Sequence, residues 1–205
     1  MILPIFAALA LASTSAPRAA STSANGVTKV VIVARAGSLD VTGVAGATEI
    51  KANGTADASS DDVLKQVKLV ATRSGSQVTI EAQIPDGTFL LSSPQLDFKV
   101  SLPAGVPVVI HDSSGEMTVK NVGDLDVKDS SGSIDIDGVT GSVRIADSSG
   151  SIEVEKVSGN VLITEDGSGS VTVKDVRGDF TVQKKGSGHV DYERIGGRVS
   201  VPSKH

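Results

Sequence analysis

The sequence predicts an all-β protein built as a parallel β-solenoid, a single-stranded β-helix, with an N-terminal strand and hairpin insertion. Three observations carry this prediction. A four-residue marker ending in Ser-Gly starts at positions 112, 129, 147, 166 and 185, so it recurs at intervals of 17, 18, 19 and 19 residues. Apolar residues alternate with polar ones between the markers. Val and Ile, which favour strands, supply much of the apolar content.

Each copy of the repeat follows one pattern: Gly, x, apolar, x, apolar, x, x, apolar, x, Gly, x, apolar, x, apolar. Apolar residues two apart point to the same side of a strand. A glycine allows the positive φ or tight corner that turns the chain into the next strand, and we expect a positive φ at the Gly141 corner. The predicted corner glycines form two sets. The first set is Gly37, Gly115, Gly132, Gly150, Gly169 and Gly188, and the second is Gly46, Gly123, Gly141, Gly159, Gly178 and Gly197.

Two short strands in one copy cannot bury their apolar side alone, but stacked copies can, if each strand pairs with its counterpart about 4.8 Å away. An antiparallel meander or sandwich is the alternative, since short alternating strands are also typical of that class. The markers recur once for every two strands and the two corners differ in chemistry, which favours the solenoid. Right-handed coiling is the usual form of a parallel crossover.

The predicted organisation is a signal peptide at 1–24 and one solenoid domain at 25–205. The domain has a leading coil at 37–52, an insertion at 53–110 and five tandem coils at 111–201. The apolar run at 2–12 is too short to span a bilayer, which needs about 20 residues, and small residues follow it, as in a signal peptide. No Lys or Arg precedes the run, and a buried N-terminal helix is the alternative. We therefore expect a secreted or periplasmic protein.

The insertion contains its own strand signals. Residues 67–71 and 78–82 flank a polar turn and predict a hairpin, while 96–102 alternates as a strand and 61–68 adds a helical turn. We expect this segment to widen or cap the N-terminal end of the solenoid. The short tail at 202–205 leaves the other end poorly covered, which makes that end a candidate surface for end-to-end self-association.

Composition excludes several classes of function. The chain has no cysteine, so disulfides, thiolate metal sites and a cysteine nucleophile are impossible. The net charge of -5 argues against nucleic acid as a partner. Aromatic residues are only 2% of the chain, too few for a sugar- or base-stacking platform. No residue is predicted to be catalytic or to bind a cofactor.

Four aspartates recur at one corner of the repeat and form the strongest candidate site: Asp112, Asp129, Asp147 and Asp166. In a stack they would follow one another at the strand spacing. One interpretation is a calcium-binding stripe, since Ca²⁺ takes carboxylate ligands. The other, which we favour, is a corner hydrogen bond from each carboxylate to a following amide. The glycine-rich nonapeptide of calcium-binding β-rolls is absent, and Lys185 replaces the aspartate in the last copy.

Other polar residues also recur in register. The serines Ser114, Ser131, Ser149, Ser168 and Ser187 have no accompanying base, so we expect a hydroxyl hydrogen-bond ladder rather than nucleophiles. His111, His189 and His205 lack the spacing of a metal site. Two rows with mixed charge are predicted to face solvent: Lys120, Asp137, Glu155, Lys174, Glu193, and Asn121, Gly138, Lys156, Asp175, Arg194.

The repeats resemble a large bacterial family. The relevant features are Gly-Ser-Leu-Asp-Val-Thr-Gly at 37–43 behind an apolar leader, and Leu-Pro-Ala-Gly at 102–105 ahead of tandem Ser-Gly repeats. The family carries the label of an adhesin, is otherwise a domain of unknown function, and consists of exported, envelope-associated β-solenoids. The resemblance covers about residues 27–201. It implies fold and location, and it brings no catalytic residues to carry over.

The expected function is that of a non-enzymatic cell-envelope scaffold or adhesion-type binding module, whose partner is an envelope protein or a surface polymer. Two alternatives stay open from the residues alone. The first is a solenoid hydrolase or lyase acting on polysaccharide, which would place a carboxylate pair backed by Arg or Lys in a groove. The second is a calcium-dependent binding module that uses the aspartate corners.

Overall fold

The computed structural model describes residues 13–87 and 93–202. The apolar run at 2–12 and His205 therefore lie outside the described residues. Within them the strands are, in chain order, β1 (Thr14–Ser23), β2 (Lys29–Val33), β3 (Leu39–Val44), β4 (Glu49–Ala58), β5 (Lys68–Ser74), β6 (Gln77–Gln83), β7 (Gln95–Pro103), β8 (Val108–His111), β9 (Met117–Lys120), β10 (Leu125–Asp129), β11 (Ile134–Val139), β12 (Val143–Asp147), β13 (Ile152–Val157), β14 (Val161–Ser168), β15 (Val171–Val176), β16 (Phe180–Val182), β17 (Lys185–Ser187), β18 (Val190–Ile195) and β19 (Val199–Ser200). One short helix, α1 (Asp61–Leu64), lies between β4 and β5.

The strands form two large mixed sheets, which confirms the all-β class. Sheet A has the order β1-β4-β7-β3-β9-β11-β13-β15-β18. Sheet B has the order β19-β16-β14-β12-β10-β8-β2-β6-β5, with β17 paired to β14 outside this path. From β8 to β16 the chain alternates between the two sheets, one strand in each, because every copy of the repeat contributes two strands.

Neighbouring copies of the tandem repeat pair in parallel, so the antiparallel meander is wrong for this region. In sheet B, Ile110 lies opposite Val127, Val127 opposite Ile145, and Ile145 opposite Ile163. Sheet A repeats the arrangement, with Ile134 opposite Ile152. These partners are the equivalent apolar positions of successive copies. The interval between the sequence markers is therefore the number of residues that separates two paired positions in neighbouring copies.

A single bulge explains why the repeat lengthens from 18 to 19 residues. The register of β12 and β14 shifts between Ile145 and Ala146, so that Ala146 lies opposite Glu165 and Thr164 is the additional residue. The Thr164 hydroxyl donates a hydrogen bond to the Ile145 carbonyl, at 3.0 Å. A bulge accommodates one extra residue with a local kink, which leaves the next marker in phase with the stack.

The insertion extends both sheets at their N-terminal ends. The predicted hairpin is confirmed as the antiparallel pair β5 and β6, and β6 also pairs in parallel with β2. The predicted strand at 96–102 is β7, which lies between β3 and β4, parallel to the first and antiparallel to the second. Helix α1 begins at Ser60, whose hydroxyl accepts a hydrogen bond from the Val63 amide.

The leading copy departs from the repeat in its second half. Its pattern predicts that residues 48–50 cross to the opposite sheet, as the tandem copies do. Instead β4 stays in sheet A and runs back antiparallel to β7. The sheet B strand of this part of the molecule is β2, which precedes β3 in the chain and pairs with β8. As a consequence Val44, an apolar position of the repeat, is 42% exposed.

Residues 14–23, which the sequence assigns to the signal peptide, form the edge strand β1. All ten residues pair antiparallel with β4, from Thr14 opposite Ala58 to Ser23 opposite Glu49. Alternate side chains of β1 are half-buried, and Ala16 and Ala20 pack against the core. Among the described residues, no helix is both long and apolar enough to cross a membrane.

The core lies between the two sheets and consists of stacked aliphatic columns. From β8 to β16 the strands bury alternate residues; Val127, Ile145 and Ile163, for example, have no exposed surface. Burying one such side chain contributes roughly 1.5–3 kcal/mol. Because each column repeats the same residue type at the strand spacing, the core continues along the stack without a large aromatic centre.

The predicted corner glycines are needed for two different reasons. Positive φ values are found at Gly46 (73°) and at the whole first set, for example 135° at Gly132. Gly141 and the remainder of the second set are not among the positive-φ residues, so the expectation of a left-handed corner at Gly141 is wrong. A Cβ on Gly141 would instead lie 2.1 Å from the Asp124 carboxylate oxygen, which makes close packing the reason for that glycine.

Candidate functional site

The four corner aspartates form one buried column inside the stack. Asp129 lies opposite Asp147 and Asp147 opposite Asp166 in sheet B, and the Asp112 amide donates to the Lys128 carbonyl, which sets Asp112 beside Asp129. Their exposed fractions are 8%, 7%, 2% and 2% from Asp112 to Asp166. Each aspartate continues the inward side of its strand. The alternation of the sequence thus predicts their orientation, although carboxylates are rarely found buried.

The corner hydrogen bond predicted from the sequence is present in three of the four copies. The Oδ1 atom of Asp112 accepts from the Ser113 amide at 2.7 Å, and that of Asp129 from the Ser130 amide at 2.8 Å. In the third copy the donor is one residue further on, with 3.2 Å between the Ser149 amide and Asp147 Oδ1. This contact is the side-chain turn typical of aspartate, and it holds one carboxylate oxygen in place in Asp112, Asp129 and Asp147.

The remaining carboxylate oxygens of the column have no hydrogen-bond partner within residues 13–87 and 93–202. They are the Oδ2 atoms of Asp112, Asp129 and Asp147, and both oxygens of Asp166. Burial therefore raises the pKa of Asp112 and of Asp147 to about 6. The hydrogen bonds from the turn amides lower these pKa values, but their effect is smaller than that of burial. Burial also raises the pKa of Asp129 and Asp166. Neighbouring carboxylates add to the effect, since Asp129 lies beside both Asp112 and Asp147 and repels their charged forms.

The two ends of the column differ in charge. At the N-terminal end the equivalent position is Ala34, which is 4% exposed and whose amide donates to the His111 carbonyl. At the C-terminal end Lys185 lies opposite Asp166 and lowers the pKa of that carboxyl against the effect of burial. The Lys185 ammonium donates to the Gly188 carbonyl at 2.5 Å. One cation thus covers the end of a column of four carboxyl groups.

Calcium is expected to leave the stability of the protein unchanged. Ca²⁺ takes six to eight oxygen ligands, whereas one oxygen of Asp112, Asp129 and Asp147 is already held by a turn amide. The described part of the chain contains no group of three His, Cys, Asp or Glu residues that could hold a metal ion. Thermal unfolding should therefore have the same midpoint in EDTA and in added CaCl₂. A midpoint that rises with calcium concentration, but not with magnesium, would contradict this expectation.

Three serines of the ladder, Ser114, Ser131 and Ser149, connect their copies to the backbone of the preceding copy, and no such bond is found for Ser168 or Ser187 among the described residues. Ser131 Oγ donates to the Ser113 carbonyl and Ser149 Oγ to the Ser130 carbonyl, both at 3.3 Å. Ser114 Oγ donates to the Arg35 carbonyl at 3.4 Å. The hydroxyls therefore bond to carbonyls rather than to one another, and their role in these contacts is to hold copies together.

The outer face of sheet A carries ion pairs that run from one copy to the next. The Lys174 ammonium lies 2.9 Å from a Glu155 oxygen and 3.2 Å from a Glu153 oxygen. The Asp175 carboxylate accepts two hydrogen bonds from Arg194, one of them at 2.8 Å, and these hold the pKa of Asp175 below its ordinary value. Such exposed pairs contribute little to stability, so this face is a solvated surface with mixed charge.

One of the two predicted outward rows has an unexpected backbone. Its members share a left-handed conformation: Asn121, Gly138, Lys156, Asp175 and Arg194 have φ between 55° and 77°. Left-handed residues other than glycine are uncommon and cost energy unless the surroundings hold them. The Lys156 pair with Asp137 and the Arg194 pair with Asp175, both between copies, stabilise this row from outside.

Two open grooves lie on the outer faces, and most of their carboxylates are engaged. The groove on sheet B, of about 380 Å³, contains Asp124, whose Oδ1 accepts from the Ser142 amide at 2.7 Å. The groove on sheet A, of about 500 Å³, contains Asp97, whose Oδ1 accepts from the Ser38 amide at 2.6 Å, and Asp40, which pairs with Lys99 at 3.0 Å. In the described part of the chain, one carboxylate of each groove lies outside such contacts, Asp126 on sheet B and Glu116 on sheet A. A glycoside hydrolase uses a pair of carboxylates on its substrate.

The C-terminal end of the stack exposes side chains that are buried in every earlier copy. Tyr192 lies opposite Val173 in the sheet, yet it is 52% exposed while Val173 has no exposed surface. The equivalent apolar positions are also only partly buried: Val190, Ile195, Val199 and Val201. The Tyr192 ring lies 6.0 Å from that of Phe180 and tilts across it, so it covers part of the last layer. Among residues 13–87 and 93–202 no further strand pairs with β18 or β19 on this side.

The fold and surface describe a class of protein: an all-β repeat protein with parallel stacked copies, solvated outer faces and an apolar terminal layer. No protein-family model matches the sequence, and no curated protein matches it. Similar solved structures are a candidate cell adhesion protein from Clostridium sporogenes (15% identity, 93% of this chain and 100% of the other, TM-score 0.41), a candidate adhesin from Bacteroides fragilis (14%, 91% and 96%, 0.35) and a candidate lipid-binding protein from Parabacteroides distasonis (16%, 91% and 97%, 0.37). Similarity at TM-scores this low does not assign a function to this chain.

The sequence pattern predicts the aspartate column but not the Tyr192 surface as a specific site. A signal for the latter is present, because Tyr192 is the one tyrosine of the chain and stands where the other copies have Val or Ile. Its ring lies on the last described layer of sheet A and is half-exposed.

Proposed function

We propose that this protein is a non-enzymatic, exported β-solenoid that acts as a cell-envelope scaffold or adhesion-type binding module. The alternation of strands between two sheets, with parallel pairing of equivalent positions, supports the solenoid. The apolar leader followed by small residues supports export to the periplasm or cell surface. Each groove has only one carboxylate outside hydrogen bonds and ion pairs among the described residues, where a glycoside hydrolase uses two, and this supports a binding role over catalysis.

The open C-terminal end is the observation that carries the proposal. In the described part of the chain, strands β18 and β19 are the last strands of their sheets at this end, and unpaired edges pair readily with other strands. The apolar layer around Tyr192 adds a hydrophobic contact to the free backbone groups. The partner proposed is a second copy that meets this end with its own equivalent end, which gives a two-fold, self-complementary contact.

Charge makes this contact dependent on salt. Asp191 and Glu193 lie on the outward side of β18, and an antiparallel contact between two β18 edges brings these carboxylates near their counterparts. The Arg194 guanidinium is already held by Asp175 and Glu193. Repulsion between the carboxylates is screened by salt, so association should strengthen as ionic strength rises.

Replacing Tyr192 with lysine is expected to abolish self-association. Sedimentation velocity over a range of concentrations should show the wild-type protein growing from monomer to dimer, while Tyr192→Lys stays monomeric because it places a charge in the apolar layer. The matched control is Val44→Lys, since Val44 is also exposed (42%) but lies away from this end. The control should associate like the wild type.

Two outcomes would overturn the end-to-end contact. A wild-type protein that is monomeric at every concentration and salt would direct the search to a partner for the outer faces. Equal association of wild type and Tyr192→Lys would place the contact elsewhere on the molecule.

A further inference from the structure

We propose that the exported protein is cleaved after Ala12, so that Ser13 is the mature N-terminus and β1 stays with the folded domain. This inference rests on the proposed export and revises the boundary at residue 24. The apolar run ends with Ala10-Leu11-Ala12, a small-x-small sequence of the kind that signal peptidases recognise. The first described strand begins at Thr14, two residues later.

Strand β1 completes the edge of sheet A. Its ten residues pair with ten residues of β4 without a break, and the pairing continues beyond the strand, since the Ala24 amide donates to the Thr48 carbonyl at 2.9 Å. Cleavage at residue 24 would remove the whole strand. The backbone of β4 would then become an unpaired edge ten residues long, which is the kind of edge that leads to aggregation.

Arg18 ties β1 to the insertion. Its guanidinium donates to the Leu64 carbonyl and, through Nε, to the Val67 carbonyl, both at 2.6 Å and partly buried. Leu64 is the last residue of α1, a helix with no basic residue in its last turn. Arg18 therefore adds a second donor to the Leu64 carbonyl, which also accepts from the Val67 amide at 3.2 Å. A signal peptide that is discarded has no need for such a contact.

A second arginine holds the segment that follows β1. The Arg73 guanidinium, from β5, donates to the Ser23 carbonyl at 3.1 Å and to the Asn25 carbonyl at 2.6 Å. These contacts lie on both sides of the bond that cleavage at residue 24 would break. Residues 14–24 are thus held by pairing with β4, by Arg18 hydrogen bonds to carbonyls of the insertion and by the Arg73 side chain of the insertion.

The test is the mass of the protein recovered from the periplasm or medium of a bacterium that expresses the full sequence. The expected N-terminus is Ser13. Ala12→Leu should abolish that product, because the residue before the cleaved bond must be small, whereas the matched variant Ala24→Leu should leave it unchanged. A product that begins at Asn25 would overturn this inference and leave export intact. An uncleaved protein retained in the cytoplasm would overturn both proposals.

A second measurement keeps the inference testable when processing is inefficient. Chains 13–205 and 25–205 are compared by urea denaturation, together with Arg18→Ala in the longer chain. The longer chain should unfold at a higher urea concentration, and Arg18→Ala should lower its midpoint. Equal midpoints for the two lengths would mean that β1 does not belong to the mature fold.

Discussion

Replacing Gly150 with alanine is expected to lower the free energy of unfolding by about 3 kcal/mol or more. Gly150 has a φ of 140°, where side chains other than hydrogen are strained, and a Cβ there would lie 1.6 Å from the Gly132 carbonyl oxygen. That atom is backbone of the neighbouring copy and cannot move without separating two layers. The same contact recurs along the stack, with 1.7 Å at Gly132 and 1.8 Å at Gly169.

Two control glycines separate backbone strain from the clash. Gly46 also has a positive φ, of 73°, but a Cβ there would meet nothing within 4 Å. Gly46→Ala should therefore cost about 1–2 kcal/mol, from backbone strain alone. Gly141→Ala tests close packing without positive φ. Urea denaturation measures all three, and a Gly150→Ala protein no less stable than Gly46→Ala would contradict the close approach of the copies.

The protein is expected to be more stable near pH 5 than near pH 7.5, by about 2 kcal/mol. Asp112 and Asp147 each have a pKa of about 6 in the folded protein, against 3.8 ordinarily. Between these values the folded chain holds protons that the unfolded chain has released. Stability from this source is complete below about pH 4 and is lost as the pH rises through about 6. Most proteins lose stability toward acid for the opposite reason, because their carboxyl pKa values are lowered by folding.

Asp147→Asn is the direct test of this pH dependence. The asparagine side chain is neutral at every pH, so the variant should be more stable than the wild type at pH 7.5. The change in its stability between pH 5 and pH 7.5 should be smaller than that of the wild type. Asp135→Asn is the matched control, since Asp135 is exposed on the outer face of sheet A. Thermal unfolding at several pH values measures both. A wild-type protein that becomes more stable from pH 5 to pH 7.5 would show that the buried column does not control stability.

The regular part of the fold could be predicted because the repeat constrains it many times over. Each tandem copy places apolar residues two apart and returns to Ser-Gly after 17–19 residues, so any register other than copy on copy would expose a buried column. The prediction of parallel pairing follows from this, and so does the inward direction of the four aspartates. Even the hairpin at β5 and β6 had a local signal, in the polar turn between two apolar runs.

The irregular parts depended on contacts that a local pattern does not contain. Residues 37–50 match the repeat, yet β4 turns back in sheet A because β7, from the insertion, provides an antiparallel partner. Residues 14–23 have the small residues of a signal-peptide exit, yet they pair with β4, which lies 26 or more residues away. Gly141 matches a corner, but its requirement comes from Asp124 in the preceding copy.

The sequence by itself determined the all-β class, the repeat register and the alternation that buries Asp112, Asp129, Asp147 and Asp166, because these depend on periodicity and on burial of one side of each strand. The tertiary structure decided which strand lies at each edge, which carboxylate oxygens are left without partners and that the layer around Tyr192 is open. Those properties depend on what a residue meets across the stack. The identity of that neighbour follows from how the whole chain is wound, which a spacing rule within one copy does not specify.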